Sequence, residues 1–190
     1  QQRRRTEQDL RTALNEGGLR VHYQPVIDIA TGRTTAYEAL VRWDHPERGM
    51  LPPDEFLAIA EETGLIVPLG EFVIRQALSE MAGWKGDFRL AINLSPSQIR
   101  SVDLLPTIAD ALAATGFDAS RIEFEITEHV ILQADSSATA TLNRLRASGI
   151  RIALDDFGTG YSSLSYLRRF PFDRIKIDRS FVKDLTSSTS

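Results

Sequence analysis

Glu38, Asn93, Glu125, Asp155 and Lys176 recur at one kind of position, each set into a short apolar run that alternates with it. The richest such stretch, 152–164, reads Ile-Ala-Leu-Asp-Asp-Phe-Gly-Thr-Gly-Tyr-Ser-Ser-Leu. An apolar run from Ile150 to Leu154 ends there in two adjacent carboxylates, Asp155 and Asp156. A Gly-x-Gly loop follows, Gly158 and Gly160, and then a helical pattern near Leu164. Carboxylates this close repel each other unless a cation lies between them. Taken alone, Asp-Asp is equally a surface turn whose second Asp caps the next helix, and Gly-x-Gly is equally a tight turn.

The other strands separate these readings. Side chains alternate across a strand. Leu90, Ile92 and Leu94 share one face, and Ala91 and Asn93 the other. Ile122, Phe124 and Ile126 stand opposite Glu123 and Glu125; Ile152 and Leu154 stand opposite Ala153 and Asp155; Ile175 and Ile177 stand opposite Lys176 and Asp178. Ala36, Glu38 and Leu40 alternate with Tyr37, Ala39 and Val41. One face therefore packs on helices, and the other gathers acids, an amide and a lysine near strand ends. A half-exposed sheet would instead carry an ordinary mixture of Thr, Ser and Lys. A closed barrel aims such a face at one axis and places chemistry at the carboxyl ends of its strands.

These donors are hard oxygens, without cysteine and without histidine, which favours Mg²⁺ or Mn²⁺ over structural zinc. Asp155 and Asp156 suit a pair of ions, with Asp155 bridging, and paired ions suit phosphoryl chemistry. Lys176 is placed to orient the attacking water or to stabilise developing negative charge.

The elements that must position these residues follow from periodicity. Leu10 and Leu14 mark a helix over 6–16, ended by Gly17-Gly18. A strand over 19–29 contains Pro25 and is therefore an edge or irregular strand. Thr31-Gly32 turns into a second strand over 34–43. Helices are expected over 53–63 and 67–84. Alternation then sets in, with strands over 88–94, 121–127, 150–155 and 174–178 and helices over 97–115, 136–148 and 162–169. This order means β-α units and a parallel sheet. Of the histidines, His22, His45 and His129 read as structural or surface residues.

The chain has 190 residues, 42% hydrophobic and 25% charged, with a net charge of −4 and no cysteine. That is enough for one domain with a core. It disfavours binding of nucleic-acid polymers through a basic face, and it excludes a disulfide framework. The densest apolar run, 65–74, is broken by Pro68, Gly70 and Glu71, so no membrane contact is expected of this segment. A cytoplasmic location is expected. The first residue, Gln1, and the Ser/Thr-rich end read as cuts from a longer chain. The division expected is an N-terminal helix or linker over 1–18 and one domain over 19–190.

These motifs together resemble the EAL domain of bacterial cyclic-di-GMP phosphodiesterases. The signature tripeptide is Glu38-Ala39-Leu40, set in Tyr-Glu-Ala-Leu-Val-Arg-Trp. Tyr23-Gln24-Pro25, Asn93-Leu94-Ser95, Glu125-Ile126-Thr127-Glu128, Asp155-Asp156-Phe157-Gly158-Thr159-Gly160-Tyr161 and Lys176-Ile177-Asp178 accompany it in order. The resemblance implies an α/β fold, a TIM-like (β/α)8 barrel with an antiparallel first strand, of which about six strands are present here. It implies hydrolysis of cyclic-di-GMP to the linear dinucleotide with two Mg²⁺ or Mn²⁺ ions. By motif, Glu38, Asn93, Glu125 and Asp155 would bind metal, Asp156 would serve the second ion, and Lys176 would hold the attacking water. Gln24, Leu40, Arg42 and Asp178 would contact the nucleotide, and Glu128 would anchor the loop that follows Asp156. A homodimer and an upstream sensor or GGDEF-type domain are the implied partners. The family's last two strands, a catalytic Glu in Ala-Glu-Gly-Val-Glu, and a Gln-Gly stretch have no counterpart in this sequence. A non-catalytic cyclic-di-GMP receptor, or a barrel hydrolase acting on another phosphate ester, remain the alternatives.

Overall fold

The computed structural model describes residues 2–132, 134–158, 170–178 and 180. The chain opens with α1 (Gln2–Glu16), which buries Thr6, Leu10 and Ala13. Gly17 ends it at φ 91°, a conformation that carries no penalty for glycine. The strand β1 (Leu19–Ile27) then runs antiparallel to β2 (Thr34–His45), pairing Leu19 with Trp43 and Gln24 with Glu38. Between them the Asp28 carboxylate accepts hydrogen bonds from the Thr31 amide and hydroxyl at 2.8 Å, closing the turn. A short β3 (Gly49–Leu51) folds back on β2.

The remaining elements are α2 (Leu57–Thr63), α3 (Ile66–Ala82), β4 (Arg89–Asn93), α4 (Pro96–Arg100), α5 (Leu104–Thr115), β5 (Ile122–Thr127), α6 (Glu128–Leu132), α7 (Ser136–Ala147), β6 (Arg151–Phe157) and β7 (Arg174–Ile177). The sheet order is β1-β2-β4-β5-β6-β7, with β3 attached to β2. From β2 onward every neighbour along this path is parallel. The antiparallel first strand, six strands along the path and the β-α alternation are as expected from the sequence.

The sheet curls. Four interstrand spacings separate β2 from β7, about 19 Å if flat. Yet Lys176 on β7 lies 3.5 Å from Glu38 on β2, which two side chains span only if the sheet wraps about an axis. The outward face carries the core: Ala39, Val41 and Trp43 of β2, Leu90 and Ile92 of β4, Ile122, Phe124 and Ile126 of β5. Helices α3, α5 and α7 cover it with Leu69, Leu78, Met81, Ile108, Leu142 and Leu145. Each such side chain contributes about 1.5–3 kcal/mol. The inward face alternates small and charged residues, with Ala91 and Ala153 buried between Glu38, Glu123 and Glu125. No described helix is long and apolar enough to cross a membrane.

The differences from the sequence expectation have local causes. The helix expected over 97–115 is two helices, α4 and α5. The capping box of Ser95 with Gln98 starts the first, and the Ser101 backbone, extended at ψ 134°, ends it. β3 is too short for a period-two signal to register. α6 follows β5 without an intervening turn residue. The strand expected over 19–29 stops at Ile27, where the ladder slips between Val26 and Ile27. The helix expected over 162–169 lies outside the described residues. The segment over 1–18, read as an N-terminal helix or linker, forms α1, whose Leu10 is wholly buried and whose Asp9 meets the buried His45 ring at 3.3 Å.

Edge strand β1 is docked on α3 through Tyr23, whose hydroxyl donates to Glu80 at 2.6 Å and whose ring meets Trp84 edge-on at 4.9 Å. Burial, then the Glu80 carboxylate, pushes the Tyr23 phenol far above its usual range. Tyr23→Phe keeps the ring contact and removes the hydrogen bond. It should cost about 1 kcal/mol, seen as a lower urea midpoint at unchanged slope.

Candidate functional site

Four parallel strands deliver the charged cluster. Glu38 comes from β2, Glu125 from β5, Asp155 from β6 and Lys176 from β7. The Lys176 ammonium stands 2.5 Å from Glu125 Oε2, 2.9 Å from Asp155 Oδ2 and 3.5 Å from Glu38 Oε2. Asn93, at the end of β4, donates its Nδ2 to Glu38 Oε1 at 2.8 Å. All five residues singled out first in the sequence are thus joined at one point, near the carboxyl ends of the strands.

Three carboxylates face one ammonium, so the cluster carries excess negative charge. Its consequences are visible in the proton affinities. Burial, reinforced by the neighbouring Glu38, pushes the Glu125 carboxyl up to about 7 despite Lys176. Burial alone would lower the Lys176 ammonium, but its hydrogen bonds to Glu125 and Asp155 and the nearby Glu38 hold it above the ordinary lysine range. Asp156 is also raised, by partial burial and then by Asp155 and Asp178. The Asp156 backbone is left-handed at φ 54°, and its amide donates to Asp155 Oδ1 at 2.8 Å. This local turn aims two adjacent carboxyls differently.

Among the described residues, no group of three or more His, Cys, Asp or Glu is arranged as an ion cage. The acids converge on the ammonium instead. Their chemistry still fits hard divalent ions: oxygen donors, an amide, and more negative charge than one lysine neutralises.

The substrate-side candidates lie around this point. Gln24 pairs with Glu38 across the β1–β2 ladder, and Leu40 and Arg42 continue the face of Glu38 along β2. Arg42 Nη1 donates to the Val41 carbonyl at 2.8 Å. Asp178 follows β7 and accepts from the Ser180 amide at 2.8 Å. A cavity of about 240 Å³ opens beside the cluster, lined among others by Leu40, Leu57, Ile66, Asn93, Gln98 and Glu125. Gly70 is shaped to this neighbourhood, since a Cβ there would fall 1.7 Å from Gln98 Nε2. Glu128 is buried at the start of α6, and its Oε2 has no hydrogen-bond partner among the described residues. The loop it was expected to anchor lies largely outside the described residues, as does Gly160.

His22 is exposed, as expected of a surface residue, opposite Leu40 on the face of Gln24. Sequence reasoning missed one feature. Glu123, seen to share the face of Glu125, received no role. It is buried, with Arg174 Nη1 at 2.8 Å and Arg151 Nε at 3.3 Å.

Comparison with known proteins places this geometry. The model of the EAL domain family matches residues 7–190. The uncharacterized protein y4lL of Sinorhizobium fredii is 54% identical over 98% of this chain and 22% of its own length. Cyclic di-GMP phosphodiesterase NbdA of Pseudomonas aeruginosa is 41% identical over 96% of this chain and 24% of its own length. The chain thus spans about a quarter of the curated relatives it matches. Among solved structures, the PaMucR phosphodiesterase in its c-di-GMP complex superposes with a TM-score of 0.89 at 39% identity, covering 97% of this chain and 76% of that one. The manganese and cyclic-di-GMP complex of Klebsiella pneumoniae BlrP1 gives 0.76 at 32% identity, covering 88% and 42%. These neighbours confirm the EAL barrel architecture for this chain.

The raised Glu125 carboxyl has a consequence for stability. Its value in the folded protein, about 7, exceeds that of an ordinary glutamate, so folding favours the protonated form. In chelator-treated protein this contribution is complete below about pH 4.5 and is lost as pH rises through about 7. Glu125→Gln stays neutral throughout. The melting temperature of metal-free wild type should fall between about pH 5 and 8, and fall less steeply in the variant. Equal slopes would place the uncompensated charge elsewhere.

Proposed function

This chain belongs to the EAL domain family, and from that premise we propose that it is the hydrolytic module of a longer signalling protein, opening cyclic-di-GMP to the linear dinucleotide. The observation that carries this reading is the meeting of Glu38, Glu125 and Asp155 on the Lys176 ammonium, with Asn93 bonded to Glu38.

Glu38, Asn93, Glu125, Asp155 and Asp156 are the residues that would hold two Mg²⁺ or Mn²⁺ ions. Such ions, when bound, acidify water and offset phosphate charge. In the metal-free cluster Lys176 is held in its charged form by Glu125, Asp155 and Glu38, which suits it to donate a hydrogen bond to the attacking water or to a phosphate oxygen rather than to act as a base. Glu125, poised near neutrality, would release its proton to solvent when a cation binds its carboxylate. Gln24, Leu40 and Arg42 line the approach on one face of β1 and β2. Arg42 exchanges its backbone carbonyl partner for a phosphate oxygen, and a guanidinium suits that contact. Asp178 contributes on the substrate side, and Glu128 steadies the loop after Asp156. A homodimer and an upstream sensor or GGDEF-type domain complete the assembly we propose.

A receptor that binds cyclic-di-GMP without turnover is the second reading, because the ammonium fills the point where the acids meet. Purified full-length protein, incubated with cyclic-di-GMP and Mg²⁺ or Mn²⁺, should release the linear dinucleotide and stop on addition of chelator. Binding without product would establish the receptor instead. Glu38→Ala should lower turnover by at least about 100-fold, beyond what loss of an outer-shell partner costs, as measured by product chromatography.

A further inference from the structure

We propose that Glu123 and Arg174 are a positioning pair that fixes the register of β7 and thereby sets where the Lys176 ammonium stands. The inference rests on the hydrolase reading above and adds two residues that touch neither the reacting groups nor the proposed metal-binding oxygens.

The inner face is built in two tiers. On β5, Glu123 and Glu125 both point inward; on β7, Arg174 and Lys176 do. Glu123 Oε1 accepts from Arg174 Nη1 at 2.8 Å, and Glu125 Oε2 accepts from Lys176 Nζ at 2.5 Å. These strands are not neighbours, because β6 lies between them. Both pairs cross over β6 near Ala153, which is opposite Glu125 on one side and Arg174 on the other and has no bulk to obstruct them.

The lower pair bears on the upper because the cations of both sit on one short strand, β7, whose ladder to β6 is irregular. That strand has four residues. Its ladder to β6 shifts register between Leu154 and Phe157, which is the level of Lys176. A slip of one residue turns every side chain of a strand to the opposite face, and here it would withdraw the ammonium from the cluster. Glu123 resists that slip. Its carboxylate is buried, and a buried charge stripped of its partner is costly. Arg151 Nε also faces Glu123 Oε2 at 3.3 Å, without a hydrogen bond among the described residues, but it stands on β6 and does not hold β7. Arg174 is the cation actually bonded to Glu123, two residues before Lys176.

The test uses the full-length protein with Arg174→Met, which keeps the stem, and Arg174→Lys, which keeps the charge. Arg174→Met should lower kcat for cyclic-di-GMP by about 10- to 100-fold and leave KM within about twofold; Arg174→Lys should recover most of kcat. Glu123→Gln combined with Arg174→Met should be no worse than the poorer single variant, as expected for one interacting pair. Trace acetylation without added divalent ion, read by peptide mass spectrometry, reports on Lys176 directly, with the exposed Lys85 as internal reference. Lys176 labelling should rise several-fold in Arg174→Met and stay near wild type in Arg174→Lys. Unchanged labelling, or a lowered melting temperature with kcat per folded site intact, overturns the pair. If the wild type lacks hydrolysis, the catalytic reading fails, and the labelling ratio alone still decides whether Arg174 positions Lys176.

Discussion

One ammonium holds the inner face of this molecule together. Lys176 is shared by carboxylates from three other strands, and that sharing is possible only because the sheet closes on itself. The dependence runs both ways. Without curvature the acids of β2 and β6 would stand apart; without a cation among them they would repel one another. A polar interior of this kind is expensive, and the molecule offsets it on the outer face, where β2, β4 and β5 press an almost unbroken apolar layer against α3, α5 and α7.

The small residues matter as much as the charged ones. Ala91 and Ala153 sit on the inner face level with the acids, and each leaves a gap that a longer side chain from an adjacent strand fills. A larger residue at Ala153 would keep Glu125 from Lys176 and Glu123 from Arg174. The barrel axis is thus filled by long polar side chains from some strands lying over alanines of others.

Much of this was legible in the sequence, because alternation across a strand is strict. Glu38, Asn93, Glu125, Asp155 and Lys176 could be placed on one face before any coordinates, and the family motifs around them fix their order. Less was legible where period and length give out. The break between α4 and α5 depends on a capping box and an extended Ser101, which an apolar count passes over. The docking of α1 depends on Asp9 finding His45 far along the chain. The role of Glu123 escaped because an acid on an inner face reads the same whether it meets an ion, a ligand or an arginine. The complementary spacing of Glu123-Phe124-Glu125 and Arg174-Ile175-Lys176 was the missed sign.

The reversed direction of β1 has an architectural outcome. Leu19 begins that strand beside Trp43, at the end of β2 where the parallel strands finish. The chain therefore enters its barrel at the mouth rather than at the floor. Helix α1, fastened by Asp9 to His45 a few residues beyond Leu40 and Arg42 on the same strand, is thereby tied to the strand that borders that mouth. β2 is thus the common support of the first helix and of the side chains at the barrel mouth.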